Sequence, residues 1–135
     1  MLLFLRKISF YKFVPLCWTL VTIILLCLPG DVIPSEGIFL LDYLDKLVHF
    51  LLFGGIVLFW GLHYSQIYSG NKIRKLFVWI TLSSIALGIT LEIIQHYFIP
   101  NRSFEIVDII ADSVGSLLGV FYLSKGNNQK RKTKG

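Results

Sequence analysis

Leu91-Glu92-Ile93-Ile94-Gln95-His96-Tyr97-Phe98-Ile99-Pro100-Asn101-Arg102-Ser103-Phe104-Glu105-Ile106-Val107-Asp108-Ile109-Ile110-Ala111-Asp112 begins inside one long apolar run and ends inside another. Pro100 separates the two runs, because proline removes a backbone donor and disfavours helix in the residue before it. Before the break, Glu92, Gln95 and His96 are spaced i, i+3, i+4. After it, Glu105, Asp108 and Asp112 are spaced i, i+3, i+7. Each set falls on one stripe of a helix. The stretch therefore reads as the tip of a helical hairpin carrying two polar stripes and one guanidinium, Arg102.

The rest of the chain reads as the frame around this tip. Hydrophobic residues make up 55% of the 135 and charged residues 16%, with a mean hydropathy of +0.70. That is too apolar for a soluble domain of this length. The fold class expected is all-α, an integral membrane bundle of four transmembrane helices. Working outward from the hairpin, the spans fall at about 13–28, 46–63, 76–99 and 104–123, in one membrane domain over 1–124 followed by a basic, frayed tail over 125–135. Phe39 to Leu44 suggests a short interfacial helix before the second span. The first run follows Arg6, Lys7 and Lys12 as a signal peptide would. No small-x-small cleavage site precedes Pro29-Gly30-Asp31, which predicts an uncleaved helix.

Charge placement predicts the orientation. Arg6, Lys7, Lys12, Lys72, Arg74, Lys75, Lys125, Lys130, Arg131, Lys132 and Lys134 include all but two of the 13 Lys and Arg residues, and four spans would place them on one side. By the positive-inside rule that side, with both termini, is cytoplasmic. Basic residues flanking apolar runs argue against nucleic acid as a partner and for membrane lipids; an oligomer is compatible with the pattern. Cys17 and Cys27 lie ten helical residues apart, about 15 Å, too far for a mutual disulfide. No zinc-type spacing, phosphate loop or nucleophile elbow is present, so no metal and no cofactor is expected.

Depth singles out the chemistry. Glu92 lies about 10 Å below the outer end of its span, Asp112 at a matching depth on the fourth, and His49 about 6 Å into the second, one turn from Asp45. Ionisable groups at such depth should face the bundle interior or a wet cavity. Asp45, Lys46, His49, Glu92, Gln95, His96, Arg102, Asp108 and Asp112 are the candidate site residues. Arg102 can pair with Asp108, Glu105 or an anionic ligand group, Lys46 with a loop acid, and His49 with Glu92 or Asp112. Gly115 and Gly119 continue the acidic stripe and predict close approach of the fourth span to its neighbour in the hairpin, the third; Ser83, Ser84 and Gly88 suit such packing. Trp18, Trp60 and Trp79 read as an interfacial belt.

Asp45-Lys46-x-x-His49-Phe50-x-x-Phe53-Gly54, then Glu92-x-x-Gln95, then Arg102 with Asp108, Asp112, Gly115 and Gly119 at fixed spacing resemble the VanZ-like family of small bacterial membrane proteins. The resemblance covers about residues 40–120, with every polar block in order. One position departs: Asp112 stands where the family pattern usually has asparagine, adding a carboxylate. The resemblance implies a teicoplanin-resistance-like role, in which an outward-facing polar pocket recognises glycopeptides, lipopeptides or lipid-linked envelope molecules. Three other readings stay open: a membrane enzyme acting on an envelope lipid, with His49 and Glu92 as acid/base or metal ligands; an ion-coupled carrier using Glu92 and Asp112; and polar residues that only staple the helices together.

Overall fold

In a computed structural model, residues 12–29 and 38–132 are described, with side chains for 12–29 and 43–126. The basic N-terminal segment, most of the loop before the second span and the last three residues lie outside them. Four helices follow in order: α1 (Phe13–Leu26), α2 (Ile38–Ile67), α3 (Gly70–Phe98) and α4 (Ile106–Lys132). The expected short interfacial helix is fused into the start of α2, and the polar tail continues α4 as helix to Lys132 instead of fraying. Among the described residues, three helices are long and apolar enough to cross a membrane, over Tyr43–Ile67, Gly70–Phe98 and Ile106–Gly126. The fourth, α1, is apolar but has 14 residues, about 21 Å of helix at 1.5 Å per residue.

Turn chemistry sets the boundaries. α3 begins immediately after Ser69, and Gly70 takes a φ of 64°, in the left-handed region open to glycine at no steric cost. Lys72, Arg74 and Lys75 thus sit on the first turns of α3 rather than in a long loop. α3 ends where Pro100 forbids continuation. Asn101 then adopts a φ of 59°, which asparagine tolerates better than most side chains, and the chain turns back into α4.

α2 is the central helix: it packs against the other three, most extensively against α4. The reason is the placement of glycine. A Cβ on Gly115 would lie 2.2 Å from the Phe50 carbonyl oxygen, and one on Gly119 would lie 3.0 Å from that of Gly54. Small residues let helix backbones touch where side chains would hold them apart. The glycine stripe of α4 therefore faces α2 and not, as the hairpin connection suggested, α3. α3 meets α4 through other small groups, Gly88 against Asp112 and a buried Ser84–Ser116 hydroxyl pair at 2.9 Å; Ser83 is exposed.

Trp18 and Trp60 are ties rather than belt residues. Trp18 Nε1 donates to the Leu52 carbonyl at 2.9 Å with its ring over Gly55, and Trp60 Nε1 donates to Thr19 Oγ1 at 3.1 Å, fastening α1 to α2. Trp79 is exposed. Two apolar clusters fill the interior. One, around Leu26, Leu52, Phe53, Ile56 and Leu91, backs the end where α3 turns into α4; the other, around Val57, Ile73, Phe77 and Leu123, fills the opposite end. Large apolar side chains such as Leu20, Ile24, Trp79, Ile93, Ile110 and Phe121 point outward, whereas His49, Glu92, Asp108 and Asp112 are buried. Apolar outside and charged inside is the arrangement a lipid solvent demands.

Gly115→Ala should destabilise the fold by about 1–3 kcal/mol or more, because the methyl meets a backbone carbonyl that cannot rotate away. Gly126→Ala, whose Cβ would meet nothing within 4 Å, should be neutral. Thermal unfolding in detergent checks the pair; equal melting of the two variants would contradict the α2–α4 contact.

Candidate functional site

Helix geometry brings the polar stripes together at one end. The first turns of α4 carry Asp108 and Asp112, the last turns of α3 carry Glu92 and Gln95, and α2 packs against both with Asp45 and Lys46 one turn before His49. The glycine crossing pulls α2 onto α4, so the shortest contacts join those two helices. Lys46 Nζ donates to Glu105 Oε2 at 2.5 Å and lies 3.4 Å from Asp108 Oδ1. The latter is an ion pair without hydrogen-bond geometry, since Asp108 Oδ1 is buried and has no hydrogen-bond partner. His49 Nδ1 lies 2.9 Å from Asp112 Oδ1, both residues at most 2% exposed. Its other nitrogen, Nε2, faces Asp108 Oδ2 at 3.9 Å, beyond hydrogen-bond reach.

Glu105, immediately outside α4, sits on the acidic stripe but was not singled out as a site residue from sequence. The Lys46 ammonium donating to it holds its carboxyl below the ordinary glutamate range, against partial burial and with help from Ser103 and Arg102. Because the folded-state value is lowered, the stabilisation from this pair is complete above the ordinary glutamate pKa and is lost as pH falls through the lowered one.

Glu92 and Gln95 do a different job. Glu92 Oε1 accepts the backbone N–H of Glu105, the residue that opens α4 and whose own carbonyl accepts the Asp108 N–H. A carboxylate from α3 thereby caps the N-terminus of α4, where orphan N–H groups and the helix dipole favour negative charge. Gln95 Nε2 donates to the Leu26 carbonyl at 2.8 Å and so satisfies an orphan acceptor in the last turn of α1. The second Glu92 oxygen, Oε2, is buried and without a hydrogen-bond partner.

Arg102 faces Asp45, Nη1 to Oδ1 at 3.6 Å, rather than Asp108 or Glu105. Lys46 already occupies those two acids. The Nε of Arg102 is buried with no hydrogen-bond partner, so the guanidinium fork is incompletely used. His96 lies apart: it is exposed, with its ring against Tyr97 and Phe104. The structure thus gathers Asp45, Lys46, His49, Arg102, Asp108 and Asp112, backs them with Glu92, turns Gln95 toward α1 and leaves His96 outside.

The charges do not balance. Asp45, Glu92, Glu105, Asp108 and Asp112 place five carboxyls in or beside the cluster, against two permanent cations, Lys46 and Arg102. Buried charge without a counter-charge is strongly unfavourable. The arrangement therefore suits a positively charged or proton-donating guest.

Three long apolar helices enclosing a buried charged cluster define a polytopic membrane protein. A family model described as VanZ/LLP1 matches residues 2–125, almost the whole length, and the chain belongs to the VanZ/LLP1 family. No curated protein and no solved structure matches it.

The cap can be tested directly. Glu92→Leu, which leaves the Glu105 N–H without an acceptor, should cost about 1–3 kcal/mol. Glu92→Gln, which keeps an acceptor oxygen, should cost clearly less. Equal losses in detergent melts would contradict the capping role.

Proposed function

We propose that this protein crosses the bacterial cytoplasmic membrane four times, with both termini inside, and binds an amphiphilic envelope molecule at an outward-facing polar site. The observation that carries the reading is the convergence, at one end of an apolar bundle, of five carboxyls and, among the described residues, two fixed cations from α2, α3, α4 and the turn between α3 and α4. Such a cluster suits a guest with an amine-bearing or hydroxyl-rich head and an apolar body that lies along the lipid-facing helices. Glycopeptides, lipopeptides and lipid-linked precursors have that chemistry. Family membership supports a teicoplanin-resistance-like role.

The orientation rests on the basic residues of the α2–α3 turn and the tail, with α1 crossing by local thinning of the bilayer. In a variant without Cys17 and Cys27, a cysteine replacing Ser103 should react with an impermeant maleimide in intact cells. One replacing Lys125 should react only after permeabilisation. The reverse pattern would overturn the orientation.

A second reading, a membrane enzyme acting on an envelope lipid, draws on one feature. His49 Nε2 is buried and has no hydrogen-bond partner among the described residues, as expected of a proton-transfer group or ligand. The two readings separate on whether the guest is chemically changed.

For the binding reading, producing the protein in a susceptible Gram-positive host should raise teicoplanin tolerance several-fold. Asp45→Asn, at a half-exposed position away from the glycine crossing, should remove the effect at equal membrane abundance. Unchanged susceptibility with normal abundance would contradict the proposal.

A further inference from the structure

His49, on α2, lies between Asp108 and Asp112 of the α4 stripe. Its Nδ1 lies at hydrogen-bond distance from Asp112 Oδ1, so an ionised Asp112 fixes the ring proton on Nδ1. The Nε2 lone pair is then directed toward Asp108 Oδ2, 3.9 Å away. One carboxylate oxygen of Asp45 completes the group: the three ligand atoms of Asp45, His49 and Asp108 all lie within 4.8 Å of one another. Nε2 is buried without a partner among the described residues, on a residue only 1% exposed. Three electron-pair donors therefore lie together, with the Arg102 guanidinium 3.6 Å from Asp45 Oδ1 as the nearest cation to the Asp45 member.

A second proton on His49 would relieve part of this conflict. It would still leave five carboxyls against three cations. Lys46 takes the Oδ1 side of Asp108 and leaves Oδ2 turned to His49, while Arg102 faces Asp45 Oδ1 at 3.6 Å, beyond hydrogen-bond reach. We propose that Asp45, His49 and Asp108 form a binding site for one divalent first-row metal ion, with Asp112 orienting the imidazole from behind.

Donor chemistry narrows the ion. One imidazole nitrogen with two carboxylate oxygens suits Zn²⁺ or Mn²⁺, whereas Ca²⁺ and Mg²⁺ favour all-oxygen sets. Bond lengths of about 2.0–2.2 Å would bring the donors to about 3.5 Å from one another in a tetrahedron. That is a contraction which rotation of two carboxylates can supply. The His49–Asp112 pair has the form of the carboxylate–histidine–metal arrangement, in which the outer acid sets tautomer and ring orientation. Three protein ligands leave a coordination position open to water or to an oxygen of a guest. The sequence hid the site because its ligands come from two helices, at i, i+4 on α2 and a distant position on α4, with no compact motif.

The inference stands apart from the envelope-ligand reading, because metal stoichiometry and antibiotic susceptibility are measured separately. Full-length protein in detergent, stripped with a chelator, should take up one equivalent of Zn²⁺ or Mn²⁺ per chain by calorimetry and elemental analysis. His49→Gln and Asp108→Asn should abolish that equivalent, and Asp112→Asn should weaken it by about 10–100-fold. His96→Gln, at the exposed histidine, should leave it unchanged. X-ray absorption of the Zn²⁺-loaded wild-type protein needs no variant to fold, and should show nitrogen and oxygen donors with a single imidazole and no sulfur. No stoichiometric uptake, uptake indifferent to His49→Gln and Asp108→Asn, or a sulfur donor would overturn the proposal.

Discussion

The buried hydrogen bond between His49 and Asp112 depends on a steric constraint at some remove from it, the contact of α2 and α4 at Gly54, Gly115 and Gly119. Helices with ordinary side chains between them stand about 8–10 Å apart. Here glycine removes the spacer, and the carbonyls of Phe50 and Gly54 lie where a methyl would otherwise be. Two short side chains, an imidazole from one helix and an aspartate from the other, can then meet directly. The other polar contacts between α2 and α4 follow from that approach. Lys46 reaches Glu105 and Asp108 because it lies one turn before His49, and Gly88 admits the Asp112 carboxylate because α3 carries no side chain there.

The ends of the bundle are closed by the same residue types that build the site, but with a different purpose. Glu92 caps α4 and Gln95 caps α1, each reaching from α3 to a neighbour's orphan backbone groups. These two contacts are structural, and they hold three helix ends in register. His49, Asp108 and Arg102 keep unused capacity: an unpartnered Nε2, a buried oxygen without a hydrogen bond, an incompletely used guanidinium. Glu92 shares in both roles, since one of its oxygens caps α4 and the other is buried without a partner.

Much of this was legible in the chain itself. Stripes at i, i+3, i+4 and i+7, broken by Pro100-Asn101, predict two helices with polar faces, and those faces lie inside except at the exposed His96. The sequence leaves His49 a choice of Glu92 or Asp112, and the structure sets it against Asp112 while Glu92 turns to the start of α4. Periodicity gives the face of a helix and not which neighbour that face meets. The glycine stripe was therefore assigned to α3, its hairpin partner, when α2 fills that place. Arg102 was matched to the nearest acids in sequence, but Lys46, arriving from α2, had already taken them. The capping role of Glu92 was hidden because its partner is a backbone N–H, which no side-chain pattern reveals. The length of α1 also differs: the apolar run over about 13–28 reads as a span that needs slight bilayer thinning, and the helix itself is shorter still, 14 residues.

The central claim, that α2 and α4 place His49 and Asp112 in direct contact, is tested most directly by a double-mutant cycle. Unfolding free energies would be measured in detergent for wild type, His49→Gln, Asp112→Asn and the double variant. The account predicts a coupling of about 1–3 kcal/mol, as for buried residues that share a hydrogen bond. Additivity to within about 0.5 kcal/mol, the behaviour of independent sites, would contradict it.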